Sequence, residues 1–544
     1  MKKFLLCVAA GLALFASCGE PETEAPSLSD SPAPVFTDVT VHDPSVFRVN
    51  DNSSTDRFRI VGSFLATART GDFIRWQLIQ GGGGSYPSTL RYYPQDNPNT
   101  AVQTAAQQRA DVLRPASNDG FNFFASDIHR MPNGKFYHYY SMTSTWKCSA
   151  IGVAIADTVD GQYITQGLFV RSAEAGNNMT PDGMRAWTAN GSDVNPTNHP
   201  NCIDAQAFFD KDGDKFYLIY GSWSGGVFMY EIDTATGLPK AGSAMNAESN
   251  GYGRHIIANR HSAIEAPYVI YSPDSDYYYL FVSYGGLSSG GDSNQGRYQM
   301  RVFRSRNPFG PYEDPVHPVT GTDPNPLTEK NLHPSAGNAM DFRNYGVKIM
   351  GGYHFAQMTG ENQRSNSVGS SGFLSPGHNS AYYDEAAGKY FLIFHTRFVS
   401  SPQTEGHQVR VHEMFVNEDD WLVAAPFRYD NGKIRSFNSA QLEGTWKIIS
   451  HGKDDNKAAA YHASQSYVFN ADGSITGAGS GTWELRDDKK TAYITLDKKL
   501  YKGFFLRCYD EYHAVWVYAF TAMSDDGLAL WGATLGVPTD LNEK

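Results

Sequence analysis

Lys135-Phe136-Tyr137-His138-Tyr139-Tyr140, Lys215-Phe216-Tyr217-Leu218-Ile219-Tyr220 and Lys389-Tyr390-Phe391-Leu392-Ile393-Phe394 repeat one pattern: a lysine after a turn, then a run mixing apolar and aromatic side chains. Arg57-Phe58-Arg59-Ile60-Val61-Gly62 and Tyr277-Tyr278-Tyr279-Leu280-Phe281-Val282 bring the copies to five. Short runs rich in aromatic and β-branched residues fit a pleated, buried strand. A second strand-like run follows four of the copies, as in Ile151-Gly152-Val153-Ala154-Ile155, Gly226-Val227-Phe228-Met229-Tyr230, Met300-Arg301-Val302-Phe303 and Val409-Arg410-Val411-His412. Five antiparallel units without helices between them predict radial blades around a channel, a five-bladed β-propeller in an all-β chain. A two-sheet sandwich accommodates the same strands and stays open at this stage. The copies are unevenly spaced, so long inserts are expected on loops, where binding surfaces collect.

The character of the chain changes near Ser436. Beyond it come Gly444-Thr445-Trp446-Lys447-Ile448, Ser466-Tyr467-Val468-Phe469, Gly481-Thr482-Trp483-Glu484-Leu485 and Ala514-Val515-Trp516-Val517-Tyr518-Ala519, with turn residues such as Asn470-Ala471-Asp472-Gly473 between runs. Alternation with a period of two and short turns predicts a small closed β-barrel over 436–544, after a propeller over 39–435.

At 544 residues the chain exceeds one ordinary core, in keeping with two folded units. Its net charge of -12 comes without a basic stripe, which argues against a nucleic-acid partner and favours a neutral ligand. Lys2-Lys3, an apolar run from Phe4 to Phe15 and Ala16-Ser17-Cys18 read as a bacterial lipoprotein signal over 1–18, with Cys18 carrying the lipid. Residues 19–38, with Glu20, Glu22 and Glu24 among prolines, read as a disordered tether. The acidic residues after Cys18 resemble the export signal of surface lipoproteins, so the expected location is the outer membrane, facing the cell surface, with the lipid as the sole membrane contact. A monomer is expected. Cys148, Cys202 and Cys508 remain after the leader; a Cys148–Cys202 bridge and free buried thiols are both open, and no Cys/His pairing suggests zinc.

Three acidic residues open short motifs: Asp43 in His42-Asp43-Pro44-Ser45-Val46-Phe47, Asp204 in Cys202-Ile203-Asp204-Ala205-Gln206-Ala207, and Glu265 in Ser262-Ala263-Ile264-Glu265-Ala266-Pro267-Tyr268. Each carboxylate stands among apolar or small neighbours, a setting that perturbs a pKa enough for proton transfer near neutral pH.

Those motifs, together with Ser375-Pro376-Gly377-His378-Asn379-Ser380 and His395-Thr396-Arg397-Phe398, resemble glycoside hydrolase family 43, in particular its endo-1,5-α-L-arabinanases with a C-terminal lipocalin-like barrel. The resemblance implies an inverting hydrolase of plant pectic arabinan. It makes Asp43 the general base, Asp204 the residue that orients and tunes the acid, and Glu265 the general acid. Asp204 is expected to raise the pKa of Glu265 by like-charge repulsion. It also implies a calcium ion in the central channel, largely water-coordinated and associated with His378. The element that commonly reads Trp-Ala-Pro-Asp is here Phe124-Ala125-Ser126-Asp127, a departure at one substrate-facing position.

Position alone nominates further substrate contacts. Trp223, in Gly221-Ser222-Trp223-Ser224-Gly225-Gly226, follows the third copy as a subsite wall, with Trp146 and Tyr284 in corresponding places after the second and fourth. Ser222 and Asn201 are candidate hydrogen-bond donors, and Arg397 a candidate partner for a channel carboxylate. Two alternatives stand beside endo-cleavage: exo-acting release of arabinose or xylose, and a glycan-binding lipoprotein that performs no chemistry.

Overall fold

The computed structural model describes residues 32–81, 91–93, 122–145, 148–172, 174–175, 199–286, 298–330, 332, 342–361, 372–399, 406–432, 436–454 and 460–536. The lipoprotein signal, Cys18, Trp146 and the side chain of Cys148 lie outside the described residues. Five separate sheets, antiparallel apart from one parallel pair in the second and one in the fifth, and one closed barrel account for the fold of the described residues. The innermost strands of the five sheets, Ser45–Arg48, Asn122–Arg130, Gln206–Phe209, Ile264–Ser272 and Gly372–Asp384, touch one another in sequence, and the last touches the first. That closed ring makes the five-bladed propeller.

Each repeated copy is the second strand of its blade, and alternation along it explains how the ring holds together. In Phe216–Tyr220, Phe216, Leu218 and Tyr220 pack into the core shared with the second blade, whereas Tyr217 and Ile219 pack into the core shared with the fourth. Both faces are therefore dry, which is why the strand is apolar throughout rather than on alternate residues. Replacing Leu218, which is fully buried, with Ala costs about 2–5 kcal/mol. Phe58 and Ile60 of the first blade pack with Phe391 and Ile393 of the fifth, so the same physics seals the ring between the chain's two ends.

The barrel closes through eight strands from Gly444–Ser450 to Ala529–Thr534. Trp446, Phe469, Trp483, Phe505 and Phe520 fill its interior, with the Trp446 and Phe469 rings stacked at 4.8 Å. An eight-stranded barrel is just wide enough for side chains to fill. It is welded to the propeller: Ile449, Leu506, Val517 and Trp531 share a core with Phe394 and Leu422, and the strand His462–Ala463 pairs in parallel with Tyr353–His354 of the fifth blade. The buried Lys447 Nζ lies 2.6 Å from Glu361 Oε1 across the join.

The tether ends earlier than its composition suggests. Thr37 Oγ1 donates to the Trp76 carbonyl at 2.7 Å and Asp38 lies 2.9 Å from Arg428, so the chain is docked on the first and fifth blades before residue 39. Cys202 and Cys508 are free, buried thiols.

Candidate active site

The three acidic motifs reach one end of the channel because each precedes or begins an innermost strand. Backbone geometry there is unusual: Asp43, Ala125, Asp204, Ala266 and His378 all have positive φ, at 57°, 34°, 59°, 54° and 47°. Such conformations cost about 1–3 kcal/mol each for residues with a Cβ and persist where the surroundings overdetermine them, as at functional sites. Register shifts at Phe124/Asp127, Glu265/Tyr268 and within Leu374–Ser380 place β-bulges at the same level in three blades, turning side chains out of the ladder and into the channel.

Asp43 is buried and surrounded by imidazoles. His42 Nδ1 lies 2.8 Å and His378 Nδ1 3.0 Å from its Oδ1, while Ser63 Oγ donates a very short hydrogen bond to Oδ2. Burial works to raise its pKa, yet His378 and His42 hold it well below the ordinary carboxylate range. Ser63 is itself fixed by the Ala125 backbone N–H at 3.0 Å. Asp204 has the opposite fate. Burial, with the charges of Glu265 and Asp43 and against that of His378, pushes its carboxyl up to about 7. Burial is the largest cause of that rise, and repulsion from Glu265 and Asp43 adds to it.

Glu265 is half-buried and accepts from three side chains. Tyr298 Oη donates to Oε1 at 2.5 Å, and Trp223 Nε1 and Ser222 Oγ donate to Oε2 at 2.8 and 3.2 Å. Tyr298 reaches it across a gap left by Gly377, where a Cβ would stand 2.3 Å from the tyrosine ring. Burial and the neighbouring carboxylates push the Tyr298 phenol far up, so it remains a donor. Opposite Glu265 in the sheet, Ser283 accepts the His378 backbone N–H at 2.6 Å, tying the fourth blade to the fifth.

The remaining nominees divide. Ser222 and Trp223 meet at Glu265, although the indole contributes its N–H as well as its ring. Asn201, expected to donate to substrate, instead accepts from Ser149 Oγ at 2.6 Å and braces the loop before Asp204. Tyr284 differs from the expectation: it is fully buried, its hydroxyl on the Leu332 carbonyl and the Arg301 guanidinium over its ring, so it has no face for a sugar. Arg397 is buried two residues after His395, and its charge is one of several influences that keep His395 neutral, after burial and His42. Sequence reading passed over Ser63 and Tyr298. Neither sits in an acidic motif; Tyr298 precedes the third strand of its blade and carries no local signal.

Two arrangements bear on a cation. His42, Asp43 and His395 offer ligand atoms close together. However, the Asp43 N–H donates to His395 Nδ1 at 3.0 Å, so that ring holds its proton on Nε2 and has no lone pair for a metal. His378 is arranged the other way. Its Nδ1 faces the Asp43 carboxylate; although burial works to lower its pKa, the charges of Asp43 and Asp204 push the imidazole up to about 9, so Nε2 ligates a metal only where the ion displaces its proton. Beside it, a cavity of about 20 Å³ is lined by Asp43, Ser126, Asp204 and Asn379, and the buried Asn379 amide and Ser126 hydroxyl have no partner among the described residues. Oxygen donors and room for about one water fit a small, hydrated, hard cation.

Residues 100–347 match glycosyl hydrolases family 43, and residues 426–532 match the C-terminal lipocalin-like domain found with it. An extracellular endo-alpha-(1->5)-L-arabinanase 2 of Bacillus subtilis is 37% identical over 505 residues, covering 92% of this chain and 94% of that protein. The chain belongs to glycoside hydrolase family 43. A second member, an extracellular endo-alpha-(1->5)-L-arabinanase of Thermotoga petrophila, is 34% identical over 508 residues, 92% of this chain and 94% of its own length. Among solved structures, a family 43 protein from Bacillus licheniformis superposes with a TM-score of 0.73 at 35% identity, covering 92% of this chain and 99% of that one. The crystal structure of the Thermotoga petrophila RKU-1 endo-1,5-alpha-L-arabinanase gives 0.72 at 32% identity, covering 92% and 100%. Membership in family 43 accounts for the propeller, the barrel and their order along the chain.

Proposed function

We propose that this protein is an inverting endo-arabinanase that cuts internal α-1,5 links between L-arabinofuranose units. The observation that carries the reading is the meeting of three carboxylates at one end of the channel: Asp43 held between His42 and His378, and Asp204 on the backbone N–H that follows Glu265. An inverting hydrolase needs an ionised base on one side of the sugar and a proton donor on the other, about 6.5–9.5 Å apart so that water fits between. Asp43 takes a proton from water as its oxygen bonds the anomeric carbon. Glu265 gives a proton to the departing glycosidic oxygen as that bond breaks, so one displacement inverts the centre. Trp223, Ser222 and Tyr298 hold the donor in place, and Asp204 holds the backbone after it. A calcium ion held by His378 and water would supply fixed positive charge near the carboxylates.

The N-terminal reading extends to location: Cys18 carries lipid and anchors the enzyme to the outer membrane at the cell surface. Labelled palmitate should enter the full chain and be lost in Cys18→Ala; equal labelling of both would refute the anchor.

The deciding experiment incubates purified protein with linear arabinan, branched arabinan and xylan and reads product lengths with time. Early mixed arabino-oligosaccharides, first released as the β-anomer by NMR, support the proposal. Arabinose as the sole early product would mean trimming from an end, and no product from any of the three would leave a binding protein.

A further inference from the structure

A sizeable cavity lies away from the carboxylates. It measures about 580 Å³, within the range of small-molecule sites, and opens at the opposite mouth of the propeller. The innermost strands show why. Asp43, Asp204, Glu265 and His378 sit at or before the beginnings of these strands or within the bulged part of the fifth, whereas the cavity is lined by the far ends: Arg48, Arg130, Phe209, Tyr271 and Tyr383, one from each blade. A layer between the two ends closes the axis. In it Asp127 accepts from Ser45 Oγ at 2.5 Å and from the Ala207 N–H at 2.9 Å, and Gln206 and Tyr268 border both this cavity and the small one beside His378. The far mouth is therefore a blind funnel, separate from the cleft where bonds are cut.

The walls of the funnel define what it suits. Tyr271 and Tyr383 are half-buried, and each is backed by another ring, Tyr278 at 5.1 Å and Tyr390 at 4.6 Å. The Tyr271 hydroxyl is fixed on Asp276 at 2.8 Å. Phe209 is braced by His129 at 5.5 Å. These are rigid aromatic surfaces of the kind that lose little entropy on binding. The cations at the rim are already matched: Arg48 and Arg130 share Asp51 at 2.6 and 3.7 Å, and Lys211 holds Asp276 at 2.9 Å. A matched rim gives an anion no net attraction but offers donors and acceptors to hydroxyl groups.

We propose that this funnel is a second carbohydrate site, which holds a stretch of neutral polysaccharide on Tyr271, Tyr383 and Phe209 while the opposite face cleaves. The sugar is taken as arabinan on the functional reading above; the existence of the site rests on the funnel itself. Two sites on one polymer convert the second contact into an intramolecular one and raise retention on long chains without touching the chemistry.

The test uses the full-length protein. Electrophoresis through gels containing linear arabinan, galactan or xylan measures retention, and hydrolysis of arabinotetraose measures the cleft. The double variant Tyr271→Ala/Tyr383→Ala should lose about tenfold in apparent affinity for arabinan and turn over arabinotetraose at the parental rate. Unchanged retention, no retention of the parent by any of the three polymers, or loss of tetraose turnover in step with retention would each overturn the site. If the parent ignores arabinan but is retained by galactan or xylan, and the double variant is not, the funnel stands and the arabinan assignment falls. Should the double variant melt early, hydroxyl-radical footprinting of Glu265→Gln with arabinopentaose decides: protection of Tyr271 and Tyr383 supports the site, and protection confined to the Trp223 side refutes it.

Discussion

The backbone N–H of Ala266 donates to Asp204 Oδ2 at 3.0 Å, so the residue that follows Glu265 is pinned to the carboxylate whose own pKa is most displaced upward in the site. Positioning and electrostatics are therefore combined in one side chain. An asparagine at this place keeps an acceptor for Ala266 while removing the charge, which separates the two roles.

Asp204→Asn should raise stability above neutrality and lower activity. The folded carboxyl titrates near 7, above its ordinary 3.8, so the wild-type protein is most favoured below the ordinary value and loses that advantage as pH rises through 7. The variant is spared that loss. Calorimetry should give a melting temperature higher than wild type by roughly 2 °C or more at pH 8 and equal to it at pH 4. A lower melting temperature at pH 8 would contradict the burial of the charge.

Glu265→Gln should bind arabino-oligosaccharides but fail to release reducing ends. Loss of a general acid costs about 10²–10⁴ in turnover. Affinity measured by calorimetry beside initial rates checks the split, and wild-type rates in the variant would remove Glu265 from its role.

Tyr298→Phe deletes the 2.5 Å hydrogen bond to Glu265 Oε1 and little else, since the ring keeps its place against Gly377. A hydrogen bond to a neutral acid contributes about 0.5–1.5 kcal/mol, so kcat should fall by roughly two- to tenfold with KM nearly unchanged. A change confined to KM would make Tyr298 a substrate contact instead of a holder of the acid.

Chelation should lower both activity and melting temperature if a hydrated cation sits on His378, and added calcium should restore both. His378→Ala should be insensitive to chelator. An unaffected wild-type protein after exhaustive chelation would remove the ion from the site.

The repeated strands were readable because a propeller blade buries both faces. Phe216-Tyr217-Leu218-Ile219-Tyr220 is apolar at every position, a signal strong in sequence and satisfied only between two neighbouring blades. The acidic motifs were readable for a related reason: Asp43 and Glu265 stand where apolar strands begin, and charge is costly there without a purpose. Tyr284 shows the limit of such reasoning. It follows its repeated run much as Trp223 follows another, yet its strand continues through it and it turns into the core beneath Arg301, while Trp223, beyond its strand's end at φ 57°, turns onto Glu265.

The sequence by itself determined the five repeated strand units, the alternating strands that follow them and the three acidic motifs, because strand periodicity and an acid among apolar neighbours are local properties of a chain. Only the tertiary structure decided which neighbours set each charge. His378 and His42 hold Asp43 ionised, and burial near Glu265 keeps Asp204 close to neutral. Ser63 and Tyr298 enter the site from positions without a motif, through contacts that close only when the ring of blades does. Electrostatic energy depends on separation in space and on exclusion of water, and neither is written in the order of residues along a chain.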